Sequence, residues 1–193
     1  MPYLKGKGGI AIVNRPEWAQ KSPAMQAYYD HDWGFAQHDE QKLFEMLCLE
    51  CFQSGLSWAL VWQKRPALLE AYQGFDPAKV AQFGEEEVAK LLADPALIRN
   101  QLKVRATINN ARILSRWHQE GRTLEQFTWS FTNGRSIRME PVPGLPLPAK
   151  TPLSEQVATE FKRAGGGDVV LNGGRGNQRP PCLGLGRWSL TAK

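Results

Sequence analysis

The sequence has little cysteine and no long apolar run, and both features narrow the class of protein. Only three of its 193 residues are cysteines, namely Cys48, Cys51 and Cys182. An odd and sparse set of this kind predicts reduced thiols in a cytoplasmic protein and argues against a disulfide framework. The chain contains no run of about 18 apolar residues, so we expect no transmembrane helix. Its first segment, MPYLKGKGGIAIV, is too short and too broken by glycine to predict a signal peptide.

Strand patterns are also missing, since no alternating apolar and polar run of useful length occurs before residue 165. Helix signals are frequent instead. Asp39, Asp76 with Pro77, and Thr151 with Pro152 are typical helix starts. The stretch 101–120 has apolar residues at helical spacing. We also predict short helices at 58–63, 66–74, 85–92, 94–100 and 123–131. The predicted fold class is therefore all-α.

Charge is distributed unevenly along the chain. The formal net charge is +5, but residues 162–193 contain six basic residues and one acidic residue, whereas residues 1–161 contain 18 of each. A nucleic-acid surface on the body would therefore have to be a local patch. The candidate set has few acidic neighbours and comprises Arg99, Lys103, Arg105, Arg112, Arg116, Arg122, Arg135 and Arg138. These residues either form a phosphate-binding patch or belong to separate solvated helix faces.

The stretch 43–58, LFEMLCLECFQSGLSW, carries the carboxylate of Glu50 inside an apolar run. Glu50 is flanked by Leu49 and Cys51, and the run ends in a glycine-containing turn. A carboxylate in such surroundings would be desolvated and would need a partner. Two interpretations follow from the pattern alone. Either Glu50 faces water on an ordinary helix, or it lies at the floor of a pocket with an aromatic lid.

Aromatic residues cluster before this stretch, in a segment that has many turn-forming residues and that we interpret as irregular. Trp18, Tyr28, Tyr29 and Trp33 could pack in the core or line a pocket. His31 and its acidic neighbours show no spacing typical of a metal site. After Arg163 the sequence is rich in glycine and arginine and has no period, which indicates a disordered tail. We thus divide the chain into an N-terminal extension (1–13), a helical domain (14–163) and a tail (164–193).

Several blocks of residues, taken together, resemble the DNA-3-methyladenine glycosylase I family. The blocks lie in family order between residues 14 and 163, and they read YYDHDWG, LFEMLCLECFQSGLSW, FDPAKVA, IRNQLKVRATINNAR, FTWSF and TPLSEQVATEFKRAG. The resemblance implies an all-α helix-hairpin-helix DNA glycosylase of base-excision repair. Such an enzyme flips 3-methyladenine out of alkylated double-stranded DNA and hydrolyses its N-glycosidic bond without a lysine Schiff base. It also implies a monomer with no membrane association, located in a bacterial-type cytoplasm at the nucleoid.

The resemblance assigns roles to individual residues of this chain. Glu50 would be the catalytic carboxylate that hydrogen-bonds the flipped base. The other base-binding residues would be Tyr28 as a polar contact, Trp58 as the stacking surface, and Trp18 and Trp33 as walls. The DNA-binding residues would be Leu56 as the wedge that fills the gap in the duplex, and Arg99, Asn100 and Lys103 at the backbone. The family lacks a catalytic aspartate, so we assign no such role to Asp30 or Asp32.

The chain departs from the family pattern at both ends. Family members tie their termini with one zinc ion, but the N-terminal ligand positions are Pro16 and Tyr29 here, and the C-terminal ligand motif is missing. Cys182 stands outside any such motif. We therefore expect no zinc and no other cofactor. The alternatives to an active enzyme are a non-catalytic or destabilised truncated homologue that still binds DNA, and a helical protein-interaction module.

Overall fold

The computed structural model describes residues 15–136 and 151–165, and all regular secondary structure in these ranges is helical. The α-helices are α1 (Pro23–His31), α2 (Glu40–Gln53), α3 (Trp58–Ala71), α4 (Pro77–Val80), α5 (Glu85–Ala93), α6 (Gln101–Gln119), α7 (Leu124–Ser130) and α8 (Pro152–Arg163). Two 3₁₀ turns occur at Glu17–Lys21 and Gln73–Phe75. The all-α prediction is confirmed. The predicted extension 1–13 and nearly all of the predicted tail 164–193 lie outside the described residues.

Side-chain caps start the predicted helices where the sequence indicated them. The Asp39 carboxylate accepts a hydrogen bond from the Lys42 amide at 2.8 Å and begins α2. Asp76 caps α4 in the same way, and Thr151 forms a reciprocal capping box with Ser154 at the start of α8. Each cap satisfies amide groups that a helix start would otherwise leave unpaired. None of the helices described is long and apolar enough to span a membrane.

The predicted break at Pro66 is wrong, because α3 runs through this proline without interruption. Proline removes one backbone hydrogen bond, which normally disfavours a helix interior. Val61 and Leu68, on either side of Pro66, are both fully buried in the core. Tertiary packing of this apolar face offsets the lost hydrogen bond and holds the two halves in one helix.

The segment interpreted as irregular contains helix α1. Ser22 caps it by accepting from the Met25 amide, and Pro23 occupies its first turn. Met25, Tyr28 and Tyr29 are buried at the spacing expected for one helix face. The aromatic side chains therefore project from a regular element, which fixes their directions more firmly than a loop would.

The prediction of a helix that starts at Asp94 is also wrong. The Asp94 carboxylate instead accepts from the Ala96 amide at 2.7 Å and closes a single turn. Asn100 then caps α6 through the Lys103 amide at 3.1 Å. Helices α5 and α6 with the hairpin loop between them, residues 94–100, thus form a helix-hairpin-helix unit.

Helix α2 lies at the centre of this arrangement. Ten consecutive residues, 43–52, are buried, and α3, α6 and α7 all pack against the helix. At its first turn, the Glu40 carboxylate accepts hydrogen bonds from the Leu124 and Glu125 amides at 2.8 and 2.9 Å. A negative group at the start of α7 also suits the dipole of that helix. The central helix is therefore surrounded along most of its length.

Candidate active site

Glu50 lies on the buried helix α2, and its side chain does not face bulk water. The residue is 9% exposed and sits between the fully buried Leu49 and the buried Cys51. Burial, together with the negative charge of Glu50, raises the pKa of the Cys51 thiol to about 12. The water-facing interpretation is therefore wrong. That Glu50 lies at the floor of a pocket with an aromatic lid stays a prediction.

Three aromatic side chains from α1 and α3 lie in contact with one another. They are part of a larger group that we call the aromatic wall, which comprises Trp18, Tyr28, Tyr29, Trp33, Trp58 and Trp62. The Tyr28 ring centroid lies 5.4 Å from that of Trp58 and 4.4 Å from that of Trp62. Trp58 and Trp62 stand one helical turn apart on α3, with their centroids 5.7 Å from each other. Helix α3, which carries Trp58 and Trp62, packs against both α1 and α2.

The aromatic wall continues toward the N-terminal end of the domain. The Trp18 ring lies 6.2 Å from Tyr28 and 5.7 Å from Trp33. Tyr29 stacks on Trp33 at 5.1 Å with an interplanar angle of 19°. The aromatic residues predicted at the site, Trp18, Tyr28, Trp33 and Trp58, are thus brought into one continuous cluster of ring contacts. Electron-rich aromatic rings of this kind suit a planar ligand, above all a cationic one.

Two indole groups in this wall carry buried donors. The Nε1 atoms of Trp33 and Trp58 are buried and have no hydrogen-bond acceptor in residues 15–136 and 151–165. A buried donor normally has a partner, since leaving it unpaired costs free energy. Within the described residues, these two N–H groups thus lack the acceptor that a buried donor normally has.

Sequence reasoning missed Trp62 and the ion pair that supports it. The Arg65 guanidinium lies 4.6 Å from the centre of the Trp62 ring. It also donates two hydrogen bonds to the buried Glu45 carboxylate, through Nε to one oxygen and through Nη2 to the other at 3.1 Å. Burial raises the pKa of the nearby Asp32, while the charge of Arg65 acts in the opposite direction. The sequence signal for both was the spacing of Trp58, Trp62 and Arg65, which places the three residues on neighbouring turns of one helix.

The turn between α2 and α3, residues 53–57, holds Leu56 at the surface, and we call it the wedge turn. Gly55 adopts φ +78°, a conformation that favours glycine. The Leu56 amide donates to the Gln53 carbonyl at 2.6 Å, and Ser57 then caps α3. Leu56 is 36% exposed, so its apolar side chain is open to solvent at this turn.

The residues predicted to contact the DNA backbone separate into two groups. Arg99 and Asn100 are exposed on the hairpin loop, as a backbone contact requires. Lys103 points elsewhere: its ammonium donates to the Phe52 carbonyl at 2.6 Å and to the Ser54 carbonyl. Burial lowers the pKa of Lys103 from its ordinary value. This inward contact differs from the predicted role at the DNA backbone.

The predicted basic patch does not form one free surface. Arg105 binds both Glu85 carboxylate oxygens, at 2.7 and 2.6 Å. Arg112 donates to the carbonyls of Ala81 and Phe83. Arg122 covers the Trp117 ring at 4.6 Å. Several of these cations therefore serve the fold, and Arg138 lies outside the described residues.

The residues at the family's N-terminal zinc positions do not fit a metal. Pro16 has no ligating side chain, and the Tyr29 phenol is buried with its pKa raised by desolvation. The neighbouring Asp30 is bound by the Arg15 guanidinium at 2.6 Å. In the parts of the chain that the structure describes, no group of three or more His, Cys, Asp or Glu side chains could hold a metal ion.

Comparison with known proteins identifies relatives of one kind. A family model described as methyladenine glycosylase matches residues 18–169. The chain is 37% identical to DNA-3-methyladenine glycosylase 1 of Escherichia coli over 79% of this chain and 82% of that protein. It is 34% identical to DNA-3-methyladenine glycosylase of Haemophilus influenzae over 80% of this chain and 83% of that one.

Solved structures of similar proteins give the same result. A crystal structure of 3-methyladenine DNA glycosylase I has a TM-score of 0.77 and 37% identity, and the match covers 80% of this chain and 85% of that chain. The enzyme of the same name from Staphylococcus aureus, whose structure gives the structural basis of 3-methyladenine recognition by that enzyme, has a TM-score of 0.70 and 28% identity. That match covers 77% of this chain and 81% of the other.

The Arg65–Glu45 pair generates a prediction about stability. Arg65→Met should lower the free energy of unfolding by about 3 kcal/mol, because it leaves the Glu45 carboxylate buried without its cation. The double variant Arg65→Met/Glu45→Met should regain most of that loss, since no buried charge is left unpaired. Urea denaturation followed by circular dichroism measures both values. A double variant that is less stable than the single one would contradict this role of the pair.

Proposed function

Because this chain belongs to the methyladenine glycosylase family, we propose that it excises 3-methyladenine from alkylated DNA and that Glu50 holds the flipped base. The observation that carries the assignment of the site is the buried carboxylate on α2, which packs against α3, the helix that carries Trp58 and Trp62 of the aromatic wall. Each feature alone occurs in many protein cores. Together with the buried N–H donors of Trp33 and Trp58, they match the chemistry of a flat, positively charged base that carries both donors and acceptors.

The proposed reaction is hydrolysis of the bond between the sugar and the methylated base. A 3-methylated adenine in DNA is cationic, so its glycosidic bond is already weakened. As the bond breaks, its electron pair goes to the base, which leaves as neutral 3-methyladenine. Water supplies the new oxygen on the sugar carbon and releases one proton to solvent. The products are the free base and an abasic site in the DNA.

The aromatic wall and Glu50 select the base before the bond breaks. We assign Trp58 as the stacking surface, Tyr28 as a second polar contact, and Trp18 and Trp33 as walls. Glu50 would accept a hydrogen bond from the exocyclic amine, while the indole donors face the ring nitrogens that are not alkylated. A carboxylate and electron-rich rings favour the cationic base over its neutral, unmethylated counterpart. Discrimination would therefore arise mainly at binding.

Extrusion of the base also has to be stabilised. Unstacking and unpairing one base costs a few kcal/mol, and an apolar side chain inserted into the gap offsets part of that cost. Leu56 is suited to this role because the wedge turn holds it exposed at the start of the helix that carries Trp58. Arg99 and Asn100, exposed on the hairpin loop, are the proposed backbone contacts. We further propose that the protein acts as a monomer in the cytoplasm, at the nucleoid.

The first prediction about the proposed reaction concerns Glu50. Glu50→Gln keeps the shape of the side chain but removes its charge, so excision of 3-methyladenine should fall by about 100-fold or more. Binding to undamaged duplex should stay within about threefold, because backbone contacts dominate that affinity. Single-turnover release of the base and fluorescence anisotropy measure the two quantities. Glu70→Gln, at an exposed position of α3, is the matched control. Equal excision by the Glu50 variant and the wild type would remove Glu50 from the site.

The second prediction concerns the wedge. Leu56→Ala should lower excision from duplex DNA by about tenfold more than excision from single strands, since only the duplex has a stack to be filled. Leu60→Ala is a control matched in exposure, 37% against 36%, and lies one turn further along. An identical loss on both substrates, or an equal effect of the Leu60 variant, would exclude Leu56 as the wedge.

We also propose that the protein works without the structural zinc of its family. Pro16 and the buried Tyr29 cannot supply the N-terminal ligands, and Asp30 is engaged by Arg15. Elemental analysis of purified protein should find no stoichiometric zinc, and a chelator should change neither the melting temperature nor excision. Bound zinc at one per chain, with a lower melting temperature after chelation, would contradict this proposal.

A further inference from the structure

Two lysines connect the wedge turn and the hairpin loop in opposite directions. Lys103 extends from α6 to the Phe52 and Ser54 carbonyls, at the start of the wedge turn. Lys64 extends from α3 to the Ala96 carbonyl at 2.7 Å and to the Pro95 carbonyl at 3.2 Å, within the hairpin loop. Each element that is assigned to contact DNA is thus held by an ammonium from the helix that follows the other.

The target of Lys103 is a helix end that needs a cation. The last carbonyls of a helix have no amide partner within it and carry the negative end of its dipole. At the end of α2, Ser54 already leaves helical geometry, with φ −48° and ψ 114°. The Lys103 ammonium therefore neutralises the carbonyls at the point where the chain turns toward Gly55 and Leu56. A neutral side chain of the same length would leave these carbonyls without their cationic donor.

We propose that Lys103 is a positioning residue for Leu56, which it acts on through the wedge turn, and that the reciprocal Lys64 contact makes the wedge turn and hairpin loop one body. The proposal rests on the proposed function. Docking of the hairpin loop on the DNA backbone would then place Leu56 at a fixed distance from the lesion. The role of Lys103 is exerted at base extrusion and not at bond cleavage.

This role predicts a distinctive pattern of rates. Lys103→Met should reduce single-turnover excision from duplex DNA by about tenfold and from single strands by less than about twofold, as expected for a loss at extrusion. Combined with Leu56→Ala, it should cost little more than either change alone, because the two residues act in one step. Lys103→Arg, which keeps the cation, should restore part of the duplex rate. Lys79→Met, which removes an exposed charge from α4, should leave both rates unchanged.

Several results would overturn the proposal. One is an equal loss of the excision rate on duplex and single strands. Another is a double variant, Lys103→Met with Leu56→Ala, whose loss of rate equals the product of the two single losses. If Lys103→Met does not melt cooperatively, Lys103→Gln replaces it with the same expectations. Loss of the fold in both variants would also contradict the proposal, because the ammonium would then hold the whole core and not the wedge turn alone.

Amide hydrogen exchange separates this inference from the proposed function. The Leu56 amide is hydrogen-bonded to the Gln53 carbonyl at 2.6 Å in the free protein. Its exchange should be faster in Lys103→Met than in the wild type, while amides in the middle of α6 stay equally protected. If the wild type excises no base, the proposed function fails, and the exchange rate of the Leu56 amide alone then tests the positioning role of Lys103. Unchanged exchange at Leu56 would overturn the positioning role.

Discussion

A carboxylate buried in the central helix is the constraint on which the rest of the structure depends. Glu50 lies in a run of ten buried residues, so α2 must be covered on nearly every side. Removing a charge from water is costly, and a protein keeps such a group only where polar partners or function require it. Around this helix the chain arranges α3, α6 and α7, and these in turn position the aromatic wall and the hairpin loop.

Charged groups around the candidate site hold its helices and turns in place. Glu45 and Arg65 join α2 to α3 and place a guanidinium over Trp62. Arg15 binds Asp30 beside Tyr29, near the N-terminal end of the described domain. Lys103 and Lys64 connect the wedge turn to the hairpin loop. Several of the basic residues thus stabilise the architecture, and others in the described ranges, such as Arg99, remain exposed for a polyanion.

The sequence predicted those helix starts that depend only on neighbouring residues. Helix continuity and the partners of charged side chains depend on contacts between distant residues, and the sequence did not predict these. The caps at Asp39 and Thr151 depend on side chains within three residues, so both helix starts were predictable. Pro66 was interpreted as a helix start, because nothing nearby in the sequence shows that Val61 and Leu68 share one core. The charge of Lys103 suggested DNA, whereas its partners, Phe52 and Ser54, are about fifty residues away. Among the site residues, those predicted from the aromatic pattern converge, whereas Trp62 and Arg65 required the structure.

The most direct test of the central claim is release of free 3-methyladenine from methylated duplex DNA by the wild-type chain, with a melting curve recorded on the same sample. We expect a cooperatively melting, helical protein that releases the base with multiple turnovers and leaves abasic sites. A protein that melts cooperatively and binds duplex DNA, yet releases no 3-methyladenine, would contradict the claim. That result would show a non-catalytic relative that has kept the fold.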